Sequence, residues 1–537
     1  MVETFPSILF ETADESPSTR GAGGAGSTET HDPDYFTDLN LDQLFEVVTE
    51  DRPGYDLLPL YRRRLRTADA VLYRQEVFRD LENPALAEGV KAFAERMRET
   101  RARLRQGARL RHRYQQQSWL LRSVDSYRQA VSHLVQTLKE ADLGSRGLRA
   151  FRDHLVEYER GTAYTTLLEE TATTQERLTA VRYCLTITGG KVKVTRYDDE
   201  PDYGAEVVAG FEKFSQGQTQ DHSVRFREPV ELNSVEAAVL DRVALLFPEE
   251  FQELDAYAER HGDFVAEAIA TFDREAQFYL AYLDTLVPLK EAALDFCYPR
   301  MMAGATTVEG QGVFDVVLAD RLARTRTTVV PNDFRLEAPE RILVVSGPNQ
   351  GGKTTFARTI GQLHHLAALG CPVPGREAGL LMCDAVFTHF ERGENLKDLS
   401  GKLKDDLVRI HDILERVTEN SIVIMNEVFT STTLHDAVDL GTKVLRQVID
   451  AGALGVCVTF VDELSELGPA TVSMVSTVVP DDPARRTFRI VRKPADGLSY
   501  ALAVADKYGL THDKLAERIK RLDASDGSSS RPAKDKS

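Results

Sequence analysis

Ile342-Leu343-Val344-Val345 runs almost directly into Gly347-Pro348-Asn349-Gln350-Gly351-Gly352-Lys353-Thr354, and a helix-like segment follows as far as Leu369. A buried strand, a glycine-rich turn and a helix N-terminus in that order leave few folds open. The strand needs a sheet around it, and the helix must cover that sheet. The turn is a phosphate cradle: its glycines let backbone N–H groups face inward, Lys353 reaches the β- and γ-phosphates, and the Thr354 hydroxyl can hold Mg²⁺. The alternative is an ordinary glycine turn, but the full G-x-x-x-x-G-K-T pattern in this context implies a nucleoside triphosphate.

The sheet that the loop requires is visible downstream. Apolar runs at Ile342–Val345, Ser421–Met425 and Gly455–Phe460 alternate with helical segments, the signature of a mainly parallel sheet wrapped by helices. Upstream, from Tyr35 to about Ala180, the pattern is helical. Around Tyr183-Cys184-Leu185-Thr186-Ile187-Thr188 it changes to strand-like alternation, and Gly189-Gly190 predicts a hairpin turn into Lys191-Val192-Lys193-Val194-Thr195. Helical periodicity then returns. Val265, Ile269, Phe272, Ala276, Tyr279, Leu283 and Leu286 step by four and three, one apolar stripe on a long helix that breaks near Pro288. Phe272 and Tyr279 are expected in the core.

The fold class expected is therefore α/β plus α. A P-loop domain with a mainly parallel sheet occupies residues 301–522, and a long-helix domain with an inserted β hairpin precedes it. The helical domain is split into residues 35–180 and 233–300 around an insertion at 181–232. Residues 1–34 and 523–537 are expected to be disordered because Ser, Thr, Gly and acidic residues dominate them. The short apolar piece Phe5–Phe10 is a candidate for docking, at a place the sequence does not give.

With 537 residues, no apolar run near the ~18 needed for a membrane span, and no basic, small-residue leader, the chain reads as cytoplasmic with no membrane partner. Cys184, Cys297, Cys371, Cys383 and Cys457 are scattered and read as reduced core residues. A net charge of −18 excludes indiscriminate coating of nucleic acid. Tyr61 to Ala130 is the exception, with 17 Lys/Arg against 8 Asp/Glu, including Arg62-Arg63-Arg64, Arg101, Arg103, Arg105, Arg109, Arg111 and Arg113. This stripe fits either a phosphate-binding surface or a solvated helix face with internal ion pairs, and the second reading is favoured.

The second half of a P-loop site is an acidic strand end. Ser421-Ile422-Val423-Ile424-Met425-Asn426-Glu427 supplies it, with Glu427 lying 74 residues after Lys353. In such sites the first acidic residue helps to hold Mg²⁺ and the second polarises the attacking water. Asn426 stands first here, so its amide oxygen and Thr354 form the candidate metal site without a negative charge, and weaker Mg²⁺ binding is expected. Glu427 is the candidate catalytic residue.

Together these segments resemble the MutS family of DNA mismatch-repair ATPases. The loop through Thr355 is similar to the family's G-P-N-x-x-G-K-S-T. Leu369-Gly370-Cys371-Pro372-Val373-Pro374 resembles its I-G-x-x-V-P segment, and Asp384-Ala385-Val386-Phe387-Thr388 its D-x-I-F-T strand. Asp412-Ile413-Leu414 through Met425-Asn426-Glu427 resembles the helix and strand ending in D-E. Thr432 and Asp436 fall in its G-T-x-x-x-D loop. The match covers roughly Cys297 to Leu522. The double glycine before Lys353 and the 74-residue spacing argue against a chromosome-cohesion ATPase.

The resemblance implies an ABC-type ATPase domain with ATP and Mg²⁺, lever and clamp domains upstream, and a homodimer that closes around double-stranded DNA when ATP binds. It implies nucleotide contacts from Gly347 through Thr355, and base contacts from Val329 and Asn332. Lys191, Lys193 and Arg196 at the hairpin are the DNA-contact candidates, although Asp198, Asp199, Glu200 and Asp202 follow at once. Departures from the family pattern are also present. Asn426 replaces its Asp, and Phe460 replaces the His of its A-T-H γ-phosphate sensor. Lys397–Lys402 replaces its S-T-F signature, leaving Ser400 as the in-trans candidate. The span before Tyr35 is too short for mismatch-reading and connector domains. The competing reading is a nucleotide-gated DNA-binding scaffold with little hydrolysis and no mismatch recognition.

Overall fold

The computed structural model describes residues 7–11, 34–200, 231–302, 304, 307–391 and 402–495. Ser400, the tail from Asp523 and most of the segment before Tyr35 lie outside the described residues. The chain divides into two compact units, Met1–Ser7 with Asp80–Gly144 and Leu148–Ala276, and Ile8–Arg79 with Ser145–Gly147 and Gln277–Ser537. No described helix is long and apolar enough to cross a membrane.

The first unit is built on two long antiparallel helices, Pro84–Arg109 and Arg113–Glu140. The first starts sharply because Asn83 Oδ1 accepts from the Ala85 N–H and Pro84 sits at its first turn. Phe272 is fully buried, stacked on Phe151 with ring centroids 3.8 Å apart. Part of the basic stripe is engaged here in ion pairs. Arg101 binds the buried carboxylate of Asp273, Arg103 binds Glu99, and Arg113 pairs with Asp255. For these three arginines the internally paired reading matches the geometry.

The inserted hairpin pairs Tyr183–Thr188 with Lys191–Arg196, and Gly189 and Gly190 both take positive φ at the turn. Its register puts Lys191 and Lys193 on one face and Arg196 on the other. Arg196 is committed elsewhere. Its guanidinium donates to the Leu246 carbonyl and lies 4.9 Å from the Phe247 ring.

The second unit carries the six-stranded sheet. Its strands in chain order are β1 (Ile342–Ser346), β2 (Val386–Phe390), β3 (Ile422–Asn426), β4 (Leu454–Val458), β5 (Thr471–Val479) and β6 (Asp482–Arg492). Across the sheet the order is β2-β3-β4-β1-β5-β6. All neighbours are parallel except the last pair, so β5 and β6 form an antiparallel hairpin at one edge. Residues of β1, β3 and β4 are buried throughout, which explains why they read as unbroken apolar runs. Helices α1 (Lys353–Ala368), α2 (Lys402–Arg416) and α3 (Leu434–Asp450) follow β1, precede β3 and follow β3.

Tyr35–Arg79, assigned from sequence to the helical domain, belongs to this second unit. Aromatic packing and polar contacts explain it. Tyr61 stacks between Phe45 at 4.8 Å and Phe278 at 4.6 Å, and its carbonyl meets His365 Nε2 of α1 at 2.9 Å. Tyr35 Oη lies 3.1 Å from His365 Nδ1. The long helix Glu267–Glu291 also runs through Pro288 instead of breaking there, and Tyr279 on it is fully buried.

Burial pulls His365 down to about 3 and His364 down to about 4, with the Arg64 charge reinforcing both. Neutral His365 then donates from Nε2 to Tyr61 O and accepts at Nδ1 from Tyr35 Oη. Both folded pKa values lie below the unfolded value, so the unfolded chain gains protons first as pH falls. Stability is expected to drop from pH 7 down to about pH 4, by about 2 kcal/mol per histidine between pH 7 and 5. Urea melts at the two pH values measure it. In His365→Gln the pH slope should fall by roughly half, and an unchanged slope removes His365 as its source.

Candidate functional site

The loop from Gly347 to Gly352 joins β1 to α1, and its glycines are required by what lies beside them. Gly347 and Gly352 hold φ of 110° and 91°, which L side chains rarely adopt. A Cβ on Gly351 would meet Ser476 Oγ at 2.2 Å. That hydroxyl donates to Gly351 O at 2.7 Å, tying the loop to β5. Lys353 is buried at the start of α1. Its ammonium donates to Gly347 O at 2.8 Å and to Pro348 O and Asn349 Oδ1 at 3.4 Å each. Phe460, at the end of β4, puts its ring centroid 4.3 Å from the same nitrogen. Burial pulls the Lys353 pKa below the usual lysine range, with Arg486 adding to the shift and Glu427 and Asp462 opposing it.

The second strand end arrives where the sequence placed it. Thr354 Oγ1 donates to Asn426 Oδ1 at 2.8 Å, so the two candidate metal ligands face each other across the strand–helix junction. Glu427 takes a left-handed φ of 55°, and its N–H donates to Val458 O at 2.9 Å. A non-glycine residue there carries local strain, held by the β4 carbonyl. Glu427 lines a cavity of about 450 Å³ beside the loop, together with Lys353, Thr354 and Thr355. Thr432 and Thr433 both donate to Asp436, and Thr433 caps α3, so that pair shapes the loop after Glu427.

The far wall is formed by Val329, Leu318, Leu322 and Phe488. Val329, a base-contact candidate from sequence, borders this cavity. Asn332 also borders the cavity, but its amide is occupied by β6. It donates to Phe488 O at 3.2 Å and accepts from Ile490 N–H at 2.7 Å. Asn332 pins the edge hairpin. Two residues of that hairpin were missed from sequence. Phe488 is half exposed, holds φ of 60°, and borders the cavity. Arg486 donates from Nε to Asn349 O at 3.0 Å and brings a second cation to the loop. An isolated Phe or Arg on an edge strand carries no sequence signal of such a role. Only the register of β6 against β5 and the loop places them.

The set gathers loop amides at a helix N-terminus, the cations Lys353 and Arg486, two neutral oxygens from Thr354 and Asn426, and Glu427, groups suited to an anion with a cation beside it. These residues fit a nucleoside triphosphate with a divalent cation. Among the described residues no separate His/Cys/Asp/Glu cluster could hold a metal by itself.

Residues 343–522 match the family model for MutS domain V. Among curated proteins, the DNA mismatch repair protein MutS of Chlorobium chlorochromatii (strain CaD3) is 29% identical over 259 residues, 47% of this chain and 29% of that protein. The Endonuclease MutS2 of Thermomicrobium roseum is 31% identical over 232 residues, 42% of this chain and 29% of that protein. The DNA mismatch repair protein MutS of Thermus aquaticus is 30% identical over 278 residues, 51% of this chain and 32% of that protein. The chain thus spans about a third of the length of the curated relatives it matches. On these matches, residues 343–522 of the chain are similar to MutS domain V, and the chain resembles members of the MutS family over that part.

Proposed function

We propose that this chain binds and hydrolyses ATP with Mg²⁺ and uses the cycle to change its hold on double-stranded DNA, as a homodimer with composite nucleotide sites. The single observation that carries the reading is the Thr354–Asn426 contact beside the glycine loop, with Glu427 on the same cavity wall. Lys353 and the loop amides would hold the phosphates, Val329 and Phe488 would flank the base, and Thr354 with Asn426 would hold the cation. Glu427 would orient water for in-line attack. The cation, when bound, supplies charge neutralisation at the β- and γ-phosphates. Lys353 must leave Gly347 O and the Phe460 ring to reach a phosphate, so these contacts hold the lysine in reserve. DNA as the partner rests on what the relatives are named for, and on Lys191 and Lys193 lying exposed on one hairpin face.

ATPase assays with plain, mismatched and branched duplexes, and without DNA, test this. Stimulation by any duplex is the expected result. A rate equal to background in every sample would favour the scaffold reading, which Asn426 and Phe460 support chemically. Neither residue brings the charge or proton that an Asp and a His bring to those positions.

Asn426→Asp should restore a charged ligand. Half-maximal nucleotide binding is then expected at about tenfold lower Mg²⁺, because a hard cation favours a carboxylate over an amide. Titration of Mg²⁺ at fixed nucleotide measures it, and an unchanged midpoint removes Asn426 from the metal site.

A further inference from the structure

The short apolar piece near the N-terminus does not hang free. Ile8, Leu9 and Phe10 are 0%, 1% and 4% exposed, as buried as the sheet core. They belong to no strand or helix. Side chains of the second unit bond to their main chain. Tyr279 Oη donates to Ile8 O at 2.5 Å, and Arg74 Nε donates to Leu9 O at 3.0 Å. The Phe10 ring lies 4.9 Å from the Arg74 guanidinium and 5.5 Å from that of Arg63. Glu11 pairs with Arg146 at 3.0 Å. Carbonyls read by side chains, apolar side chains in buried seats and a terminal ion pair are the elements by which proteins bind short linear peptides.

Arg74 also reaches the nucleotide-binding helix. It is fully buried, and its Nη1 donates to Leu369 O at 3.1 Å, at the C-terminal end of α1. A Cβ on the next residue, Gly370, would meet Arg74 Cβ at 2.6 Å, so arginine and helix end are fitted to one another. One guanidinium thus ties the Leu9 carbonyl to the far end of the helix whose first residue is Lys353.

We propose that the surface around Arg74, Tyr279 and Arg146 is a peptide-docking groove whose occupant, in cis, is this chain's own Ile8-Leu9-Phe10 segment. The segment acts as a displaceable latch, and Arg74 transmits its presence to the C-terminal end of α1. The sequence joining the latch to Asp34 includes Gly21-Ala22-Gly23-Gly24-Ala25-Gly26. A tether of this composition supplies an effective concentration of roughly millimolar, so a weak peptide affinity suffices to keep the groove filled. The inference stands apart from the nucleotide chemistry proposed above, and its readouts do not need ATP.

The test uses the full chain with a protease site inserted between Gly23 and Gly24. The probe is a fluorescent synthetic peptide with the sequence of residues 5–12. The uncut chain should bind the probe at least tenfold more weakly than the cut chain, because the tethered segment competes. A probe carrying Phe10→Ala should bind the cut chain at least tenfold more weakly still. Amide hydrogen exchange at Leu366–Cys371 should speed up after the cut arm is washed away and slow again when the probe is added. Equal binding to cut and uncut chain, or no binding to either, overturns the proposal. So does a dimer held by exchanged arms, seen as an oligomer that cleavage dissolves, because the occupant would then come from a second copy. Should the cut chain precipitate, Phe10→Ala in the uncut chain serves instead. Faster exchange at Leu366–Cys371 is expected there, and unchanged exchange overturns the coupling.

Discussion

Lys353→Ala is expected to weaken ATP binding by about a thousandfold or more while leaving the fold intact. The ammonium is the principal cation inside the loop, and each charge-assisted bond it could make to phosphate is worth roughly 1.5–3 kcal/mol. Two such bonds account for the loss. The free state changes as well, because Gly347 O, Pro348 O and Asn349 Oδ1 all accept from this nitrogen. Without it, their hydrogen-bonding capacity turns to water and the loop loses its internal tie, so preorganisation goes with the charge. Calorimetric titration with a non-hydrolysable ATP analogue measures the affinity, and circular dichroism reports the fold. An affinity within twofold of the parent would mean that phosphates bind elsewhere. Phe460→Ala sets the useful comparison, since it removes the ring facing the lysine but leaves its charge.

Glu427→Gln should slow hydrolysis by about 10²- to 10⁴-fold, the usual contribution of a positioned general base, and should spare nucleotide affinity. Gln has nearly the same shape, so the left-handed backbone at φ 55° and the Glu427 N–H to Val458 O bond should persist. What changes is the capacity to accept a proton, together with one negative charge near Lys353. Losing that charge favours bound phosphate slightly, so equal or tighter binding with slower turnover is the distinguishing pattern. Single-turnover hydrolysis beside equilibrium binding separates the two. Normal turnover would remove Glu427 from the chemistry, and background turnover in the parent itself would leave only the gating role.

The two expectations differ in how they became visible. The loop, its strand and its helix are consecutive in the chain, and a Gly-rich turn between an apolar run and a helix has one economical geometry. Glu427 is distant in sequence, yet it was legible because a parallel sheet brings strand ends to one edge. Asn332 shows where such reasoning stops. Its position before β1 was right for the cavity, but its amide was taken by Phe488 and Ile490, residues more than 150 positions away. Arg101 in the basic stripe is a similar case, since it meets Asp273 only after folding.

By itself, then, the sequence determined the parts whose physics is local: the phosphate loop, the buried strands, the Gly189-Gly190 hairpin and the apolar stripe around Phe272. Each depends on the conformational preference of a residue type or on a repeat within a few residues. The tertiary structure alone decided which charged groups stay free, which face of β6 borders the cavity, and where Ile8-Leu9-Phe10 is seated. Those depend on pairings across hundreds of residues, where desolvation and hydrogen-bond satisfaction choose among partners that composition cannot rank.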